Sequence, residues 1–319
     1  MVHILNLLCG TGLFLYGLKL MSEGTEKAFG DKMRKILTIT AGTKSKAILT
    51  GTAVTSVIQS STAVTVMAVG FVESGVMSIF QATGIVLGAN IGTTVTSILI
   101  AFNFSSLAPI VIFLSVLTVL VAKNKKIRLT GEIFLGFGFL FLGLNTMGSA
   151  FTFLKENPEF LEFIIAFSEG KIKGIVAGIV MTVIMQSSSA TVGILQSLCL
   201  QGLVDTESSV YIVLGQNIGT VFTSMLSAAG KSKAAKQVGM IHLIFNAIGS
   251  LIFLVLGEFI PYSDILSNFG NGSAQVSAFH IIFNVLSVII FFPFYDHLIS
   301  ISEKLTRFKI SFIKKDYTP

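Results

Sequence analysis

Two short polar strings interrupt an otherwise apolar chain: Gln59-Ser60-Ser61-Thr62-Ala63 and Gln186-Ser187-Ser188-Ser189-Ala190. Runs of hydroxyls and amides make poor acids and bases at neutral pH, but each hydroxyl both donates and accepts a hydrogen bond. One such cluster can donate to an oxyanion while lending oxygen to a hard cation such as sodium. The chemistry on offer is therefore binding. No carboxylate pair, histidine cluster or metal-ligand spacing accompanies the strings, so an enzyme is not expected.

Each string sits in an apolar segment, 44–73 and 171–200. Facing lipid, the polar break would be costly, so each segment is expected to be two half-helices meeting in a re-entrant hairpin. Half-helix N-termini favour anions, and unwound carbonyls coordinate cations. A second pair of blocks follows: Ile85-Val86-Leu87-Gly88-Ala89-Asn90-Ile91-Gly92-Thr93 and Ile212-Val213-Leu214-Gly215-Gln216-Asn217-Ile218-Gly219-Thr220. Their Asn-x-Gly-Thr portions are expected to form a second break, with the glycine admitting close backbone approach. Gln59 and Gln186 are expected to brace the hairpin turns.

The strings and blocks belong to one internal repeat. Gly51–Ser97 aligns without a gap to Gly178–Ser224 at an offset of 127, with 17 of 47 positions identical. Gly10, Gly12, Gly17 and Met21 match Gly136, Gly138, Gly143 and Met147 at an offset of 126, so the unit begins with the first apolar segment. Residues 1–128 form repeat 1, with spans near 4–22, 78–101 and 108–122 around hairpin 44–73. Residues 129–257 form repeat 2, with spans near 129–150, 207–229 and 237–257 around hairpin 171–200. An extra span lies in 258–296, near 276–296, and a basic tail in 297–319. In the extra span His280-Ile281-Ile282-Phe283-Asn284 echoes His242-Leu243-Ile244-Phe245-Asn246.

The composition fits these elements. Among 319 residues 52% are apolar and only 12% charged, too few charges to solvate a soluble surface of that size. An all-α polytopic membrane protein is expected, with about seven spans plus two hairpins, since about 20 apolar residues cross a bilayer. The net charge of +6 does not point to nucleic acid, because 18 of the 22 basic residues fall in 23–47, 123–128, 230–237 and 297–319. Those segments share one side if the first span runs inward, which puts the C-terminus in the cytoplasm and the N-terminus outside. The two hairpins then open on opposite sides, which makes the repeats inverted. Cys9 and Cys199 are isolated in apolar surroundings and imply neither disulfide nor metal. No cleavable leader is expected, because the run from Ile4 lacks a basic preceding region.

Charge is absent from 47–72, 74–122 and 174–204. An anion held there needs mobile cations, which favours sodium coupling; proton coupling would want a carboxylate or histidine relay. His242, His280, Asn246 and Asn284 are expected to be hydrogen-bonded packing residues. Lys44, Lys46, Lys171 and Lys173 flank the hairpin mouths, as anion attractors or as interfacial anchors. The stretch from Glu303 to Lys315 reads as an interfacial basic helix or a linker.

The duplicated Gln-Ser-Ser-Ser/Thr-Ala hairpins, each followed by Gly-x-Asn-Ile-Gly-Thr, resemble the type II sodium–phosphate cotransporters over residues 5–296. The resemblance implies a sodium-coupled symporter of inorganic phosphate working by alternating access, with no cofactor besides sodium as the coupling ion. It implies phosphate binding by Ser60, Ser61, Thr62, Ser187, Ser188 and Ser189. Gln59, Gln186, Asn90, Thr93, Asn217 and Thr220 are then sodium-binding or hairpin-bracing. A transporter of another oxyanion or of a dicarboxylate, and an anion channel, remain the alternatives. Three departures stand out: Thr62 replaces the common third serine, span 108–122 lacks a His-x-x-Phe-Asn element, and a large disulfide-bonded extracellular loop is missing, as in a prokaryotic form.

Overall fold

A computed structural model describes residues 2–39 and 42–313, with side chains described through Thr306. Every regular element among these residues is helical. The chain runs through α1 (Val2–Ile39), α2 (Lys44–Ile58), α3 (Ser61–Glu73), α4 (Ile79–Ala101), α5 (Ala108–Val121), α6 (Lys125–Leu154) and α7 (Pro158–Ser168). It continues through α8 (Lys171–Met185), α9 (Ser188–Leu200), α10 (Thr206–Ala228), α11 (Lys233–Leu256), α12 (Tyr262–Leu266), α13 (Gly272–Phe291) and α14 (Tyr295–Ile313). Six of them, α1, α4, α6, α10, α11 and α13, are long and apolar enough to cross a membrane. The chain is a multi-pass membrane protein.

The expectation is about seven spans, and the difference lies at 108–122. There α5 continues directly from a 3-10 turn at Ser105–Leu107, and the apolar helix of Ser105–Val121 falls just short of the length of the other six. The first span is conversely longer than its apolar stretch: α1 continues to Ile39, and its charged second half pairs Glu23 with Lys19 and Lys27, and Glu26 with Arg34. The tail is helical as far as Ile313; Lys314 and Lys315 lie outside the described residues.

Helix contacts are set by small residues, as expected where lipid removes the hydrophobic drive between helices. Helices α1 and α6 pack antiparallel through four glycines spaced seven apart in each helix. A Cβ on Gly10 would lie 2.6 Å from Met147 N, and one on Gly17 2.4 Å from Leu140 N. Reciprocally, a Cβ on Gly136 would lie 2.6 Å from Met21 N, and one on Gly143 2.3 Å from Phe14 N. Helices α2 and α4 approach equally closely, a Cβ on Gly88 falling 2.0 Å from Ile48 O; α8 and α10 do the same, with Gly215 and Ile175 O at 2.0 Å.

The Asn-x-Gly-Thr blocks are not broken. Residues 79–101 and 206–228 are continuous helices, which corrects the expected second break. Gly92 and Gly219 serve packing instead, since a Cβ on either would meet Thr55 Cβ at 2.6 Å or Thr182 Cβ at 2.7 Å. Asn90 and Asn217 bond back to Val86 O and Val213 O, both at 2.9 Å, so their amides find partners without opening the helix.

Helix α13 packs on α4 while α11 packs on α10. Ser224 Oγ lies 2.9 Å from His242 Nδ1, and the repeat-equivalent Ser97 Oγ lies 3.3 Å from His280 Nδ1. In both helices the following asparagine donates to the histidine carbonyl, Asn246 to His242 O at 3.0 Å and Asn284 to His280 O at 2.8 Å. The His-x-x-Phe-Asn element missing from α5 is thus supplied to α4 by α13.

Candidate functional site

Helix α2 ends at Gln59, whose backbone turns into the left-handed region (φ 59°, ψ 27°), and Ser60 then caps α3. Helices α8 and α9 repeat this at Gln186 (φ 51°, ψ 24°) and Ser187. A side chain in that region costs of order 1 kcal/mol where glycine would not, so the glutamine must contribute something. At the first break it does: Gln59 Nε2 donates to Ser56 O, and its Oε1 accepts from Thr96 Oγ1 at 2.8 Å. Ser22 of α1 donates to Ile58 O at 3.2 Å, satisfying a carbonyl freed at the end of α2.

The cap serines use their oxygens as acceptors, Ser60 Oγ from Ala63 N at 3.1 Å and Ser187 Oγ from Ala190 N at 3.2 Å. Each hydroxyl proton remains available as a donor. The N-termini of α3 and α9, each worth about half a positive charge, meet at a cavity of about 500 Å³. Gln59, Ser60, Thr62, Gln186, Ser187 and Ser189 all line it, so the two strings share one cavity. Ser61 and Ser188 are buried in the first turns of α3 and α9 and do not belong to its lining. Asn90, Thr93, Asn217 and Thr220 are likewise buried outside it, with Thr93 bonded to Ala89 O at 3.0 Å and Thr220 to Gln216 O at 2.9 Å.

Sequence reasoning missed four participants. Thr96 links the breaks: besides holding Gln59, its Oγ1 lies 3.5 Å from Ser189 Oγ, the outer limit of a hydrogen bond. Its identity with Thr223 in the repeat was the available signal. Lys19, Ser22 and Glu23 form the α1 wall of the cavity. A second polar cavity, of about 220 Å³, lies at the ends of α4 and α9. Its α6 wall is Leu144, Asn145, Gly148 and Ser149, at an offset of 126 from Leu18, Lys19, Ser22 and Glu23. Phe14, fully buried, seals α1 against α9 between Ser189 and Gln196: a Cβ on Gly193 would fall 2.3 Å from its ring and 3.0 Å from Ile100.

The hairpin-mouth lysines are engaged. Lys44 Nζ lies 2.6 Å from Asp296 and over the Tyr295 ring, while Lys171 Nζ lies 2.7 Å from Glu258 and over the Tyr211 ring. The hydrogen bond that Lys171 donates to Glu258 raises the Lys171 pKa above its ordinary value. These contacts tie the outer ends of α2 and α8 to the surrounding helices. Lys44 and Lys171 are thus neutralised anchors. The two buried histidines make serine contacts as packing residues do.

The sequence pattern of the Na+/Pi-cotransporter family matches residues 13–149 and 156–272. The chain is 30% identical to the YjbB protein of Escherichia coli O157:H7, provisionally named an inorganic phosphate export protein, over 80% of this chain and 47% of that one. It is 30% identical to YqeW of Bacillus subtilis over 76% of this chain and 78% of the relative. Sodium-dependent phosphate transport protein 2A of Rattus norvegicus is 30% identical over 39% of this chain and 21% of its own length. The chain spans about half the length of the YjbB relatives it matches. No solved structure matches it. The broken helices, the shared cavity and these likenesses lead to one family: the chain belongs to the Na+/Pi cotransporters, which are transporters of phosphate and not enzymes.

Proposed function

We propose that the chain is a sodium-coupled symporter of inorganic phosphate that works by alternating access. The observation that carries this is the meeting of both Gln-Ser breaks at one cavity, with no fixed charge in the core of either hairpin, 47–72 and 174–200. The donors at hand are the hydroxyls of Ser60, Thr62, Ser187 and Ser189 with two half-helix N-termini. Ser61 and Ser188, buried in the first turns of the same two helices, complete the set of hydroxyls assigned to phosphate in this reading. Together these bind an oxyanion but do not neutralise it, and sodium at the glutamine and serine oxygens supplies the missing charge. Asn90, Thr93, Asn217 and Thr220 back the hairpins as supports and further oxygen donors.

Residues 1–128 and 129–257 are read as inverted repeats with re-entrant hairpins. The reciprocal glycine contacts of α1 and α6 support this, because a two-fold axis relating antiparallel helices runs across them, in the plane of a bilayer they cross. The distribution of basic segments supports a cytoplasmic C-terminus and an outside N-terminus. The larger cavity, bounded by the cytoplasmic half of α1, is then the inward route, and Phe14 on Gly193 closes the outward one.

The decisive measurement is labelled phosphate uptake into proteoliposomes under an imposed sodium gradient, with current recorded. Uphill accumulation that collapses without sodium, and is lost in Gln186→Ala and Ser187→Ala protein of normal abundance, is the expected result. Full transport in sodium-free medium under a proton gradient would refute the coupling. The name of the YjbB relatives favours a second direction, export: the same site would then release phosphate from loaded vesicles, and efflux that outruns uptake at equal gradients would identify it.

A further inference from the structure

Lys19 is the only cationic residue lining the larger cavity, which otherwise offers the Glu23 carboxylate, hydroxyls, amides and apolar groups. It stands near the middle of α1, in the apolar part of that helix. An ammonium at membrane depth is expensive and persists where it faces an aqueous cavity or a partner. Both hold here. Lys19 Nζ lies 3.7 Å from Glu23 Oε1, and the other carboxylate oxygen of Glu23 lies 3.5 Å from Lys27. Glu23 therefore bridges two lysines, of which only Lys19 reaches the cavity.

The repeat does not impose this charge. The equivalent positions on α6, lining the other cavity, are Asn145 and Ser149, which carry none. The charged pair stands on one wall of the cavity that the serines capping α3 and α9 also line. We propose that Lys19 is an anion-selecting residue of the site: its ammonium passes from Glu23 to an oxygen of the entering oxyanion, and Glu23 stays neutralised by Lys27. This supplies one fixed positive charge beyond the two helix N-termini and reduces the charge that sodium must bring. Glu23, as the competing anion, keeps Lys19 from holding the cargo too tightly for release. The inference rests on the phosphate reading above.

The test is equilibrium binding of labelled inorganic phosphate to the full chain in nanodiscs at saturating sodium. Lys19→Gln should weaken binding about tenfold, the scale of one lost charge-assisted hydrogen bond, while Lys19→Arg stays within about threefold of the wild type. Glu23→Gln should tighten binding, by about threefold or more, because it removes the competitor. The opposite signs separate an electrostatic role from a structural one, since both Gln variants break the same helical ion pair. Unchanged affinity in Lys19→Gln, or equal weakening in both variants, would overturn the inference and leave the phosphate reading standing. A wild type that binds no phosphate at all would overturn both.

Discussion

Replacing Gly143 with alanine probes the crossing of α1 and α6 with a single methyl group. That methyl would sit 2.3 Å from Phe14 N and 2.6 Å from Gly10 O, against a comfortable separation of about 3.5 Å for such contacts. The helices must part by about 1 Å, and since the opposing atoms are backbone, no side-chain rotation relieves the clash. Overpacking of this kind costs about 3 kcal/mol at its upper end, and the better helix propensity of alanine returns about 1. A net loss of about 2 kcal/mol corresponds to a fall of about 3 °C in Tm for a chain of 319 residues. Gly10→Ala, its partner in the reciprocal contact, should fall comparably, since a Cβ there meets Met147 N at 2.6 Å and Gly143 O at 2.9 Å. Gly12→Ala is the control, because nothing lies within 4 Å of a Cβ there, and its Tm should hold or rise. Thermal unfolding of the three detergent-solubilised variants decides the matter. If Gly143→Ala melts with Gly12→Ala, the close crossing is not where the geometry puts it.

Three further outcomes are expected. Thr96→Val keeps shape but removes the hydroxyl that Gln59 accepts from; leaving that acceptor unpaired costs about 1 kcal/mol or more, and phosphate affinity should fall at least about fivefold. Lys44→Met and Lys171→Met should leave the half-saturating phosphate concentration unchanged even at low ionic strength, because both ammonium groups already face a carboxylate; a marked rise at low salt would restore them as anion attractors. His242→Asn and His280→Asn, whose amides can stand in for Nδ1 toward Ser224 and Ser97, should retain transport in a sodium gradient, where a proton relay would lose it.

The helices and the binding strings were legible because each leaves a local mark. Apolar stretches announce membrane helices, and a Gln-Ser-Ser in the middle of one is too costly to leave unbroken. The Asn-x-Gly-Thr blocks misled for the same reason in reverse: their polarity is absorbed within the helix by i−4 bonds such as Asn90 to Val86 O, which composition does not reveal. The α1 wall of the cavity was hidden because Lys19 is distant in sequence from both strings, and only the crossing with α6 sets which face of α1 turns inward. At α5 the apolar run is legible but the helix, Ser105–Val121, is shorter than the other six, because Asn103 in the left-handed region ends α4 just before it.

The partnership of α13 with α4 bears on how the chain assembles. Ser97 must wait for His280, 183 residues later, whereas Ser224 meets His242 only 18 residues on. The second half can therefore close its histidine–serine contact as soon as it is synthesised, while the first is left with one flank of α4 uncovered until the last span enters the membrane. A chain cut before Gly272 would retain both glutamine breaks and yet lack the helix that holds one of them in place. For this protein the order of synthesis and the order of completion run opposite ways.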